Sequence, residues 1–279
     1  MPIPCSLFPN NIMIHGFIPP ERFFAYLTWQ EIEKMPNKEN VVIIQPIGAI
    51  EQHGHHLPLV VDSAISQGVL GRALEGLAPE IPAYALPTLY YGKSNEHLDF
   101  PGTISLSAET LLRVLRETAE SIYRAGFRKL VLMNSHGGQP HILDIISRDL
   151  HQEHNDFLVF PFFTWRVPHI TKDLMSEKEG KEGIHAGDAE TSLMLSLLPH
   201  QVKMELAVKE YAKDLAGDSL LSLEGRLPFP WVTKELSTSG VIGDATVATR
   251  EKGDRILASL TNGWIRLIED IYKYSTSVE

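Results

Sequence analysis

A short apolar run, Val41-Val42-Ile43-Ile44, narrows the class of fold open to this chain more than any other feature. It is continuous and β-branched, the pattern of a buried strand. It leads directly into Gln45-Pro46-Ile47-Gly48-Ala49-Ile50-Glu51-Gln52-His53-Gly54-His55-His56-Leu57-Pro58-Leu59-Val60-Val61-Asp62. Glu51 and His53 stand two apart, so in extended chain their side chains project the same way. With Asp62 they offer one imidazole and two carboxylates at a strand's C-terminal end, the usual ligand set for a divalent cation. Either carboxylate could bridge a second ion. The competing reading is a polar surface loop with solvated histidines.

Strand and helix signals alternate along the rest of the chain. Thr28 and Glu31 have capping-box spacing, which predicts a short helix before the first strand. Asp62-Ser63-Ala64-Ile65 opens a helix to about Leu77, ended by Pro79 and Pro82, and Ala83-Tyr84-Ala85-Leu86 is a short strand. Tyr90 to Thr103 reads as a loop carrying Ser94, Asn95, Glu96 and His97. Adjacent Glu96 and His97 point apart in extended chain, so at most one would reach a given ion. Support of a ligand or contact with substrate is therefore preferred over ligation for this loop. Ser107-Ala108-Glu109 caps a helix to about Ala125, closed by Gly126.

Lys129-Leu130-Val131-Leu132-Met133 is the clearest parallel strand, and it runs into Asn134-Ser135-His136-Gly137-Gly138. His136 thus stands at a C-terminal strand edge, where open α/β sheets bind ligands. A helix from about His141 to His154 and a strand over Phe157–Phe163 follow. Residues 172–183, charged and glycine-bearing, are expected to form a mobile excursion near the site. Gly187 or Asp188 starts a helix with Glu190 in its first turn, a place where the helix dipole favours a carboxylate with or without a metal. Residues 199–237 carry no sharp motif. A glycine-rich turn at 239–245 precedes a terminal helix, Thr249 to Lys273, with Ile256, Leu257, Leu260, Trp264, Leu267, Ile268 and Ile271 on one side. The expectation for residues 1–279 is one α/β domain, a sandwich with a mostly parallel central sheet flanked by helices.

Composition limits the partners. A net charge of −10 argues against nucleic acid or an anionic membrane. The single cysteine, Cys5, permits no internal disulfide, which suits a reducing cytosol. No run approaches the ~18 apolar residues that span a bilayer, and no basic region followed by an apolar core marks a signal peptide. A cytoplasmic protein is expected.

The motifs then converge. Glu51-Gln52-His53-Gly54-His55-His56-Leu57-Pro58 with Asp62, Tyr91 to Thr103, Asn134-Ser135-His136-Gly137-Gly138, His185-Ala186-Gly187-Asp188-Ala189-Glu190-Thr191-Ser192 and Gly240-Val241-Ile242-Gly243-Asp244 occur in the order seen in the creatininase (creatinine amidohydrolase) family. The resemblance covers roughly residues 25–270. It implies a homo-oligomer, often a hexamer, and two divalent metals sharing an aspartate. By position, Glu51, His53, Asp62 and His136 would be ligands, with Asp62 the bridge. Creatinine-hydrolysing members carry a Tyr-x-Glu run, its Glu metal-binding, just after the histidine matched by His136, where this chain has Gly137 and Gly138. The vacancy is assigned to Glu190, which other branches also carry. Those members also place a Trp shortly before the histidine matched by His185, whereas residues 180–184 here hold no aromatic. Both departures argue against creatinine as substrate.

Such a site would use a water acidified from about 15.7 towards 7 to attack an amide carbonyl. His185 is the candidate proton shuttle to the leaving nitrogen, with Glu190 beside it. Ser94 and Glu96 would orient the substrate, a small-molecule amide or cyclic amide with a non-peptide C–N bond. His55, His56 and His97 stay open. Zinc, manganese and iron all suit nitrogen and oxygen ligands. A formamidopyrimidine-nucleotide deformylase of flavin or deazaflavin synthesis is the rival within enzymes. A metal-stabilised binding protein without turnover is the rival outside them.

Overall fold

The computed structural model describes residues 14–213, 219–225 and 227–275, so Cys5 lies outside the described residues. Strands β1 (Val42–Ile47), β2 (Ala83–Ala85), β3 (Lys129–Asn134) and β4 (Leu158–Phe163) form a wholly parallel sheet in the order β2-β1-β3-β4. The register pairs Ile47 with Asn134 and Asn134 with Phe163, so the loops after β1, β3 and β4 leave the sheet at one level.

Side chains alternate across a strand, and here the alternation sorts two cores. Val42, Ile44, Val131 and Met133 face α2 (Val61–Gly76), α7 (Asp188–Leu197) and α9 (Arg250–Lys273). Val41, Ile43, Leu130 and Leu132 face α3 (Ala108–Arg124) and α4 (Pro140–Glu153). The central strands are covered on both sides, which is why they read as continuous apolar runs. Helix α2 is buried around most of its circumference, wedged between the sheet and α9. Gly253 lets α9 press on α7, since a Cβ there would collide with the Ser192 carbonyl. The expected parallel sheet with helices on both faces is the observed one.

The helix signals hold locally. The Thr28–Glu31 capping box opens α1 (Trp29–Lys34), Ser107 caps α3, and Thr249 caps α9. Residues 172–183 depart from expectation. They include α6 (Glu177–Glu182), preceded by α5 (Thr171–Leu174), and Glu179 is only 5% exposed. Its carboxylate accepts the N–H of Asp188 at 2.8 Å and of Asp244 at 2.9 Å, and the Tyr211 hydroxyl at 2.8 Å. One charge in an otherwise solvated run turns inward because three donors meet it there. The segment is an internal clasp, not a mobile excursion. A further short helix, α8 (Thr233–Leu236), and the antiparallel pair β5 (Lys209–Glu210) and β6 (Gly243–Asp244) complete that side. Among the described residues no helix is long and apolar enough to cross a membrane.

Candidate metal centre

Four loops and helix starts meet beyond the C-terminal ends of β1 and β3. The loop after β1 brings Glu51 and His53, the first turn of α2 brings Asp62, the loop after β3 brings His136, and the first turn of α7 brings Glu190. Glu51, His53, Asp62 and His136 are each buried to within 3%.

Each imidazole is set by its outer nitrogen. His53 Nδ1–H donates to the Glu51 carbonyl at 3.1 Å, leaving Nε2 as a lone pair 3.7 Å from Asp62 Oδ1, 3.9 Å from Glu51 Oε1 and 4.0 Å from Glu190 Oε2. His136 Nε2–H donates to the Lys93 carbonyl at 2.9 Å, so Nδ1 faces Glu51 Oε2 at 3.1 Å and Asp62 Oδ2 at 3.6 Å. Orientation of a ligating imidazole by a backbone carbonyl is a common feature of metal sites. The loop after β3 is itself braced: Asn134 bonds both the N–H and the carbonyl of His136, and Gln139 donates to Asn134 Oδ1 and to the Gly48 carbonyl.

Asp62 stands between two groups, with Oδ2 towards Glu51 and His136 and Oδ1 towards His53. Asp62 Oδ2 and His53 Nε2 are buried without a hydrogen-bond partner among the described residues. Buried polar atoms rarely go unpaired, because the desolvation penalty is uncompensated. These two lone pairs, with no donor to meet them and further carboxylate and imidazole atoms beside them, fit cations. Three overlapping ligand-type groups, Glu51–Asp62–His136, His53–His185–Glu190 and Glu51–His97–His185, lie within coordinating reach here, and all consist of nitrogen and oxygen donors.

The electrostatics agree. Burial favours a neutral His53, but Asp62, Glu190 and Glu51 overcome it and lift the imidazole to about 9. Burial, with Asp62 and Glu51 nearby, pushes the Glu190 carboxyl up to about 7. Burial and Glu51 also raise Asp62. Protons are thus drawn into the cluster where positive charge is lacking, and metal binding displaces such protons.

Glu190 is further held by the Ala186 N–H at 2.7 Å, and Ala186 adopts a left-handed φ of 53° to present it. A non-glycine residue in that region marks a local constraint. His185 stacks on His97 and lies tilted against His53, each at 4.3 Å between ring centres, and its Nδ1 lies 4.0 Å from Glu51 Oε1.

Two expected substrate contacts sit differently. Ser94 is wholly buried; its hydroxyl donates to Glu51 Oε2 and its N–H to Ser105. It therefore braces a ligand candidate, because the loop folds back onto Glu51. Glu96 is half-buried, with Oε1 3.2 Å from His136 Nε2. A Cβ at Gly138 would collide with that same oxygen, so Glu96 uses the room left by the glycine. Residues Asn95–His97 form a 3-10 turn, not extended chain, so Glu96 and His97 both turn inward, towards His136 and Glu51 respectively. His97 was the histidine left open that belongs to the site. His56 instead bonds Thr191 at 2.8 Å, and His55 is exposed. Gln52, Thr233 and Gln139 were missed. Only Gln52, between Glu51 and His53, carried a signal in its position.

Comparison with known proteins shows the family. A family model described as creatinine amidohydrolase matches residues 25–268. The chain belongs to that family, the creatininases. It is 32% identical over 256 residues to the creatinine amidohydrolase of Pseudomonas putida, covering 86% of this chain and 94% of that one. It is 33% identical to a mycofactocin precursor peptide peptidase of Mycolicibacterium smegmatis, covering 80% and 82% respectively. A solved manganese creatininase superposes with a TM-score of 0.74 at 30% identity, covering 91% of this chain and 99% of that one. These relatives are hydrolases by name.

Proposed function

We propose that the protein is a dinuclear metal-dependent amidohydrolase acting on a C–N bond of a small amide or cyclic amide. The observation that carries this reading is the division of Asp62, whose two oxygens face separate ligand sets, each with an unpartnered acceptor at its centre. Glu51, Asp62 and His136 would hold one divalent ion, and His53, Asp62 and Glu190 the other. Zinc, manganese or iron suits these donors, and the manganese-bound relative supports a divalent ion of this kind. Such ions, when bound, acidify water and stabilise negative charge that develops on a carbonyl oxygen.

The chain's own groups do the rest. His185 Nδ1 faces the cluster and is placed to take a proton and deliver it to a leaving nitrogen. Glu190, partly open to solvent and anchored by the Ala186 N–H, is the second candidate for moving that proton. Ser94 and Glu96 hold Glu51 and His136 in place. Gly138 and the absence of an aromatic residue in 180–184 point away from creatinine itself.

Metal analysis of the purified chain, followed by hydrolysis of a panel of lactams, linear amides, short peptides and N-formyl compounds, tests the proposal. Two ions per chain are expected. Chelation is expected to abolish turnover and lower the melting temperature, both restored by adding back zinc or manganese. Occupancy at one hundred times Kd stabilises by about 2.7 kcal/mol. Full activity in both Glu51→Gln and His136→Ala would refute the assignment. Bound metal without turnover of any panel member would favour a binding protein with closed coordination.

A further inference from the structure

Gln52 is buried between the two proposed ligands Glu51 and His53, yet its side chain points away from the cluster. Its amide orientation is determined by backbone partners. Oε1 accepts the Gly54 N–H at 2.9 Å, and Nε2 donates to the Gly240 carbonyl at 3.1 Å. One amide hydrogen remains, and two imidazole nitrogens lie within its reach: His97 Nδ1 at 2.9 Å and His185 Nε2 at 3.1 Å.

Hydrogen-bond bookkeeping decides between them. His185 Nε2 is 2.8 Å from the backbone carbonyl of Gln52, which can only accept. His185 therefore carries its proton on Nε2 and donates it there, leaving Nδ1 as a lone pair. The second amide hydrogen then goes to His97 Nδ1, where the Thr233 hydroxyl also lies at 2.8 Å. A neutral imidazole that accepts at Nδ1 carries its proton on Nε2. His97 Nε2 faces Glu51 Oε1 at 3.4 Å.

We infer that Gln52 is a positioning residue that sets the tautomers of both stacked imidazoles, making His97 a donor towards Glu51 and His185 a proton acceptor towards the reaction centre. The two rings are stacked at 29°, and this assignment gives His97 Nδ1, His97 Nε2 and His185 Nε2 each a complementary neighbour and leaves His185 Nδ1 as the free lone pair. The catalytic consequence rests on the hydrolase reading above; the tautomer assignment does not.

The test is ring-nitrogen NMR of histidine-labelled, zinc-loaded protein, with His97→Asn and His185→Asn used to assign the signals. Both rings are expected as Nε2–H tautomers in the parent protein. Gln52→Glu replaces the amide donor by an acceptor, so the His97 proton is expected to move to Nδ1. Zinc stoichiometry should be unchanged, and turnover of an amide cleaved by the parent should fall about 10- to 100-fold, the range for groups that support a ligand shell. An Nδ1–H signal for His97 in the parent, or an unchanged spectrum in Gln52→Glu, overturns the inference. If the parent binds no zinc, the hydrolase reading fails, and the metal-free spectrum still decides the tautomers.

Discussion

Glu51 and Glu179 are both buried carboxylates, 1% and 5% exposed, and their surroundings ask for opposite things. Glu179 is met by two backbone N–H groups and a phenol, each within 2.9 Å. Glu51 is met by one hydroxyl and otherwise shares its space with imidazoles and a second carboxylate, beside two atoms that have no partner. Burial of charge costs several kcal/mol unless it is paired. The Glu179 clasp satisfies that cost with protein donors, whereas the Glu51–Asp62 cluster leaves it to a cation. Unmet lone pairs distinguish the site from the structural anchor; acidity and depth do not.

The largest expected effect lies in the cluster. Asp62→Asn cannot bridge two cations, so at most one ion per chain should remain and turnover should fall on the order of 10³-fold. Metal analysis and rate measurement check this, and retention of both ions would break the comparison. Glu179→Ala strands the buried Asp188 and Asp244 N–H groups. Urea unfolding should show a loss of about 3 kcal/mol, while metal stoichiometry stays intact. Loss of metal at unchanged stability would invert the contrast.

The smallest effect is a pH dependence at a third acidic residue. Burial tends to raise Glu210, but bonds from Ser239, Thr238 and Ser237 outweigh it and hold the carboxyl at about 2, below its ordinary 4.5. A depressed folded value means the contribution is complete above pH 4.5 and is lost as pH falls towards 2. Melting temperatures between pH 5 and 2.5 should fall more steeply for the parent than for Glu210→Gln. Parallel curves would show that this carboxylate resembles neither of the other two.

Much of the fold was legible because its elements are local. The Thr28–Glu31 box, the Ser107 and Thr249 caps and the apolar runs at β1 and β3 each encode their structure within a few residues. Glu51, His53 and His136 could be read because their motifs sit at strand ends, whereas Glu190 entered the ligand set through the family resemblance. Ser94 and His97 were harder to place. Their roles depend on a 3-10 turn folding back onto Glu51, and extended-chain geometry sent adjacent side chains apart. Thr233 was invisible, since its partner His97 lies 136 residues away. Glu179 was hidden in a run whose other charges are solvated.

The amino-acid pattern by itself determined a parallel α/β sheet and the residues at its C-terminal rim, because periodicity and capping act over a few positions. Only the tertiary structure decided which oxygen of Asp62 faces which imidazole, which buried acid is already satisfied, and which nitrogen of each histidine is free. Those outcomes depend on donors and acceptors brought within 3–4 Å from distant segments, where a single hydrogen changes the role of a side chain.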